Sequence, residues 1–315
     1  LKDTLAFVQF PHPGGEHNPD RGTTKYWNRG THQRKFVKNK GHYLADPTSV
    51  AHEDDIVFWC EWEPESEVIQ TIDKPLPRGP RYVYQPYYAL PDSYQGLQNT
   101  DPFVFGDRFY YTWCKQKTNH GRSSTQLRLL ALGSVILFGS CLGQTFVLDT
   151  VFVVKRWIEH DRHTYKQVLK NKISRSYADI TIAPGYQTAF PGGKACGGSY
   201  EDNGSEDGGC NSRSELPNRL YFGAMYDQPY HGMFSFFPCL PYNSSEAGFE
   251  RPRITIPGII TDRQAMGFKI NPQTSLDQTQ ALWAEVAKQV TDQGLMLGVW
   301  TAMPERRSRE AHPNA

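Results

Sequence analysis

The segment GSVILFGSCLGQTFVLDTVFVV, residues 133–154, sets the architecture that the remaining chain must fit. It holds two apolar, β-branched runs, 135–138 and 146–154, separated by Gly and small polar residues, which reads as strand, loop, strand. Neither run alternates cleanly, so both faces of each strand are expected to be covered. The second run is too short for a membrane span and too β-branched for a helix, which leaves a central strand of a packed sheet. One polar pair, Asp149 and Thr150, interrupts it. An unpaired buried carboxylate costs several kcal/mol, so Asp149 is either tied to a neighbouring turn or faces a pocket.

Working outward, 315 residues suffice to bury a core without staples, as one large domain or two smaller ones. The reading taken is a single domain over 1–315, with a β core around 99–155 and an α/β extension around 215–303. Lys and Arg total 34 against 33 for Asp and Glu, so no overall field recruits DNA or an anionic membrane, and any such attraction is local. Six cysteines occur with no C-x-x-C pair and no His at zinc spacing, so neither a structural metal nor a cofactor is expected. Residues 1–10 lack a basic start and a long apolar run, which places the chain in a reducing cytoplasm with free thiols; Cys196 and Cys210, flanking a glycine-rich acidic loop, are the pair that would bridge in a secreted protein.

The G-S-V-I-L-F-G-S stretch at 133–140, followed by a second core strand, resembles the PUA-like small barrels that include the EVE, ASCH and YTH modules, with Ser134 where those modules carry an acid. A broader similarity, over residues 99–105, 133–154, 219–238 and 295–306, is to bacterial nucleotide-modification-associated domain proteins. The resemblance implies an α+β fold with a central mixed, partly barrel-like sheet, a few helices and long loops. It further implies recognition of a nucleic-acid base or nucleotide, modified or flipped-out bases included, in a DNA-modification or defence setting.

Charge is segregated along the chain. Residues 21–42 hold seven basic residues and no acid, whereas 46–73 hold nine acids and no Lys or Arg. Arg34 and Lys35, with Lys38 nearby and Trp27 among the interleaved aromatics, form a patch suited to gripping phosphate while stacking a base. Equally, the two blocks are adjacent strands that neutralise each other. In IVFWCEWE, residues 56–63, alternation puts Phe58, Cys60 and Trp62 on one face and Trp59, Glu61 and Glu63 on the other. Trp59 beside two carboxylates reads as a pocket wall for a ligand with N–H donors, or as acids paired with the basic segment. The turn H-P-G-G-E-H, residues 12–17, supplies His12 and Glu16, either as a site at a strand end or as a solvated loop. Asn99 and Asp101 in N-T-D-P set a turn, or converge with Gln116, Ser140 and Asp149 into a hydrogen-bonding pocket.

Elsewhere, 5–10, 219–222, 232–237 and 295–300 read as strands, the proline- and tyrosine-rich 74–91 as extended, and 173–182 as a strand or irregular. The clearest helix is 275–293, with Ser275 and Gln278 as a capping box and Gly294 as its stop. No nucleophile elbow, H-E-x-x-H, deaminase or dinucleotide signature is present. Beside a purely structural or partner-binding protein whose basic and acidic blocks neutralise each other, two functions follow. The first is a binding module for nucleic acid or nucleotide, using Trp27, Arg34, Lys35, Trp59, Asn99, Asp101, Gln116 and Asp149. The alternative is an enzyme acting on a nucleotide or modified nucleobase, with His12, Glu16 or Glu61 as acid or base.

Overall fold

A computed structural model describes residues 2–19, 33–90, 99–118, 123–187, 216–243, 248–262 and 267–308. Trp27, the basic residues 21–29 and the glycine-rich loop with Cys196 and Cys210 lie outside them. In chain order the strands are β1 (Ala6–His12), β2 (Arg34–Leu44), β3 (His52–Glu61), β4 (Ser66–Thr71), β5 (Tyr82–Tyr88), β6 (Tyr110–Tyr111), β7 (Val135–Leu142), β8 (Thr145–His160), β9 (Asn218–Gly223), β10 (Phe237–Pro241), β11 (Lys269–Pro272), β12 (Met296–Thr301) and β13 (Glu305–Arg306).

The central segment folds as the hairpin β7–β8. Its strands run further than the apolar runs, because the turn needs only Gly143 and Gln144, both at positive φ (54° and 62°) as a tight two-residue hairpin turn requires. Between them the ladder slips: Phe138 faces Thr150 but Gly139 faces Leu148, so Asp149 is the extra residue of a β-bulge. That bulge explains the broken alternation. Before it, Phe146 and Leu148 enter one core; after it, Val151 and Val153 enter the same core while Phe152 and Val154 enter the other. Gly139 is fixed by the crowding, since a Cβ there would lie 2.1 Å from the Val147 carbonyl oxygen.

Two sheets result. One runs β11-β1-β7-β8-β9-β6, with β1 parallel to β7. In the other, β2, β3, β10 and β12 pair antiparallel in a closed ring, since β12 also pairs with β2. Closure leaves those strands no free edge inside the ring. β5 extends the set through β2, and carries β4 and β13. The two sheets are tied where Val151 and Phe236 exchange backbone hydrogen bonds of 2.8 and 3.0 Å. The fold is thus mixed α+β, rich in strand, with a small closed four-stranded barrel beside a mixed sheet.

The basic and acidic blocks are neighbours: β2 and β3 pair antiparallel from Arg34 opposite Glu61 to Tyr43 opposite His52. Strand β3 keeps the expected two faces, Phe58, Cys60 and then Trp62 in one core and Val57 and Trp59 in the other. The helix Leu276–Asp292 buries Trp283, Val286, Ala287 and Val290. Ser275 Oγ accepts from the Gln278 amide, but Gln278 Oε1 returns to the Thr274 amide and hydroxyl rather than to Ser275, so the cap closes one residue early. Residues 175–187 are helical, against the expected strand or irregular segment. Ser174 caps the Tyr177 amide, and Tyr177, Ile180 and Thr181 form a buried face at helical spacing. Among the described residues no helix is long and apolar enough to cross a membrane.

Candidate functional site

Where the two sheets meet, charged side chains from separate elements converge in the interior. Arg34 opens β2 and is 1% exposed. Its Nε donates to Asp149 at 2.7 Å and its Nη1 to Glu61, its cross-strand partner, at 3.0 Å. Arg251 completes the far side, its Nη1 3.1 Å from Ser140 Oγ and 3.3 Å from Asp149, and its Nη2 donating to the Gly14 carbonyl at 2.6 Å. His12, at the end of β1 and beside Ser140 in the parallel register, places Nδ1 3.3 Å from Glu61. The result is a chain His12–Glu61–Arg34–Asp149–Arg251, buried throughout.

Local structure accounts for each member. The bulge at Asp149 frees its side chain from the sheet's alternation, so an acid in an apolar strand reaches two guanidinium groups. Gly14 of the His12 turn lets the backbone cross closely over β7: a Cβ there would lie 2.3 Å from that of Ser140. Arg251 also lies over the Trp59 ring, 4.9 Å from its centroid. Burial lowers the affinity of Arg34 for its proton, but Glu61 and Asp149 more than reverse this and hold the guanidinium charged. For Arg251 burial dominates, and Asp149 offsets it only in part.

Two further expected residues, Lys35 and Asp101, are also buried. Lys35 is 2% exposed, donates to the Pro64 carbonyl at 2.8 Å, and has its pKa lowered to about 8 by burial against the opposing charge of Glu63. Asp101, fully buried, accepts the amides of Thr112, Trp113 and Cys114 at 2.8–2.9 Å. Burial raises its pKa to about 6 in spite of those amides, and the charge of Glu61 adds to the rise.

The remaining expected residues divide. Trp59 is 3% exposed, its Nε1 donates to the Phe249 carbonyl, and Arg251 of the network lies over its ring. Glu16 accepts the Arg81 and Tyr82 amides and so ties the His12 turn to β5. Gln116 exchanges two hydrogen bonds with the Arg219 backbone, in the manner of a ladder pair. Asn99 is buried, and its Oδ1 has no hydrogen-bond partner among the described residues. Arg251 escaped the sequence reading. Its only signal was indirect: a buried acid in a strand requires cations, and residues 250–253, E-R-P-R, lie outside every strand the sequence marks.

Another buried polar cluster lies apart from this chain. His160, at the end of β8, is 1% exposed and bonds Thr112 Oγ1 at 2.8 Å and Tyr186 Oη at 2.7 Å. Burial lowers its pKa to about 3, with the charge of Lys117 adding to the effect, so it is neutral. No group of three metal-ligating side chains occurs among the described residues. Comparison of the chain with models of protein families, with curated proteins and with solved structures gives no match.

Proposed function

We propose that the protein recognises a nucleotide unit of a nucleic acid, modified bases included, at the junction occupied by the His12–Glu61–Arg34–Asp149–Arg251 chain. The observation that carries the reading is the burial of this network itself. Well-packed apolar residues of similar volume would often be as stable or more so, and charge clusters assembled against that tendency concentrate at functional sites. Their chemistry suits a base: carboxylates accept from exocyclic amines, and guanidinium groups donate to carbonyl and ring-nitrogen acceptors. The closed β2-β3-β10-β12 ring supports a PUA-like assignment, and the four described cysteines carry free thiols, which suits a reducing cytoplasm. Arg34 and Lys35 are engaged inside the protein, so in this reading they shape the site rather than grip phosphate.

The test is fluorescence anisotropy with DNA and RNA oligonucleotides carrying unmodified and modified bases, at two salt concentrations. Binding is expected, with Glu61→Gln weakening it at least tenfold while circular dichroism shows the variant still folded. Absence of binding across the panel, or an unaffected Glu61→Gln protein, refutes the reading.

One contact favours a second reading, an enzyme acting on a nucleotide or modified base. His12 Nδ1 lies 3.3 Å from Glu61, which sets an imidazole and a carboxylate side by side without a hydrogen bond between them. Here His12→Asn abolishes turnover of nucleotides followed by mass spectrometry while sparing binding; no turnover by the native protein removes it.

A further inference from the structure

Strand β2 carries a second feature, about 13 Å further along the strand from Arg34 at the usual rise per residue. A cleft of about 310 Å³ opens there between β2, β5 and the segment 302–305 that follows β12. This is the lower end of the size range of small-molecule sites. Its lining is mixed: Lys38, Asn39, Lys40, Asp55, Gln85 and Glu305 supply the polar groups, and Ala302, Met303 and Pro304 an apolar wall.

The floor is held in place. Asn39 Nδ2 donates to Thr301 Oγ1 at 3.0 Å and to the Ala302 carbonyl at 2.7 Å, which fixes the carboxamide and leaves its oxygen without a donor among the described residues. Both carboxylates at the rim already have cations: Asp55 has Lys38 at 2.9 Å, and Glu305 has Arg307 at 3.1 Å. Lys40 is exposed and makes no ion pair among the described residues, so it supplies the cleft's uncommitted charge. The Gln85 side chain likewise makes no hydrogen bond among them, presenting a donor and an acceptor side by side.

We infer that this cleft is a binding subsite for one nucleoside monophosphate unit, with Gln85 and the Asn39 oxygen on the base edge and Lys40 on the phosphate. A carboxamide that both donates and accepts matches the adenine edge, and a free ammonium serves as a point-charge phosphate contact. The choice of ligand class rests on the nucleotide reading above; the location does not, because none of these residues belongs to the buried network.

The experiment titrates the four common nucleoside monophosphates into the full chain at low salt and follows binding calorimetrically. It compares the native protein, a Lys40→Glu/Gln85→Ala double variant and Glu61→Gln, with melting curves to confirm that each is folded. Saturable binding, strongest for the adenine nucleotide, is expected. The double variant should lose at least tenfold in affinity; Glu61→Gln reports on the buried network and is read beside it. No binding by the native protein, or full affinity in the double variant, overturns the subsite. If Glu61→Gln alone loses affinity, the subsite fails while the network reading stands. If only the double variant loses affinity, and Glu61→Gln still binds oligonucleotides normally, the subsite stands and the network reading fails.

Discussion

Replacing Arg34 by Met removes the cation that joins Glu61 to Asp149 while roughly keeping side-chain length. Two charge-assisted hydrogen bonds disappear, at 2.7 and 3.0 Å, and two buried carboxylates lose their shared partner. Breaking a buried ion pair from one side costs roughly 3–5 kcal/mol, because the stranded charge stays desolvated. Asp149 keeps Arg251 at 3.3 Å and Glu61 keeps His12 at 3.3 Å, so the lower end, about 3 kcal/mol, is expected. Urea unfolding followed by tryptophan fluorescence and circular dichroism measures it as a lowered midpoint at unchanged slope. The double variant Arg34→Met/Glu61→Gln, in which Asp149 keeps Arg251 and no carboxylate is left without a cation, should recover part of the loss. A loss below about 1 kcal/mol, the range of an exposed pair, would refute the account of the network as a desolvated charge chain. So would a double variant no more stable than the single one.

Three further outcomes are expected. Gly139→Ala should destabilise the fold severely, seen as a large fall in melting temperature or loss of soluble expression, because its methyl group meets the Val147 carbonyl in the bulge. Ser275→Ala should cost about 1 kcal/mol in urea unfolding by leaving the Gln278 amide uncapped. The third concerns pH. His160 binds its proton near pH 3 when folded but near 6.5 when unfolded, so its contribution is fully present above pH 6.5 and is lost as pH falls through that window. Asp101, raised from 3.8 to about 6, works oppositely: the folded state holds the proton more tightly, and stability falls as pH rises from about 4 to 6. The two slopes nearly cancel between those limits, and Asp101→Asn should unmask a fall of about 1.4 kcal/mol per pH unit on acidification, measured by urea titrations from pH 4 to 6. A flat profile in that variant would contradict the assignment.

Local pattern carried much of the architecture. The apolar runs at 135–138 and 146–154, the alternation of 56–63 and the capped helix from Ser275 were readable because each declares itself within a few residues. The bulge was only half readable: the acid was visible in the strand, but the slipped register depends on how Gly139 meets Val147 across the turn. The helix at 175–187 was missed because its β-branched residues suggested a strand, while its buried face rests on a stacking contact, Tyr110 on Tyr177, from a strand far away in the chain. The charge segregation announced β2 and β3 without choosing between ligand and neutralisation. Arg34 and Glu61 turned out to be register partners, whereas Lys40, on the same strand, points outward. Arg251 was invisible because its partners lie on strands distant in sequence.

Because Asp149 is both the charged residue of the apolar strand and its supernumerary one, the two properties are inherited as a unit. Loss of a single codon would erase acid and irregularity together, leaving a regular hydrophobic ladder with Arg251 lacking a carboxylate and Arg34 held by Glu61 alone. Insertion at the same point of a plain relative would create both in one step, so this polar centre is the kind of novelty a lineage gains or discards by indel rather than by gradual substitution.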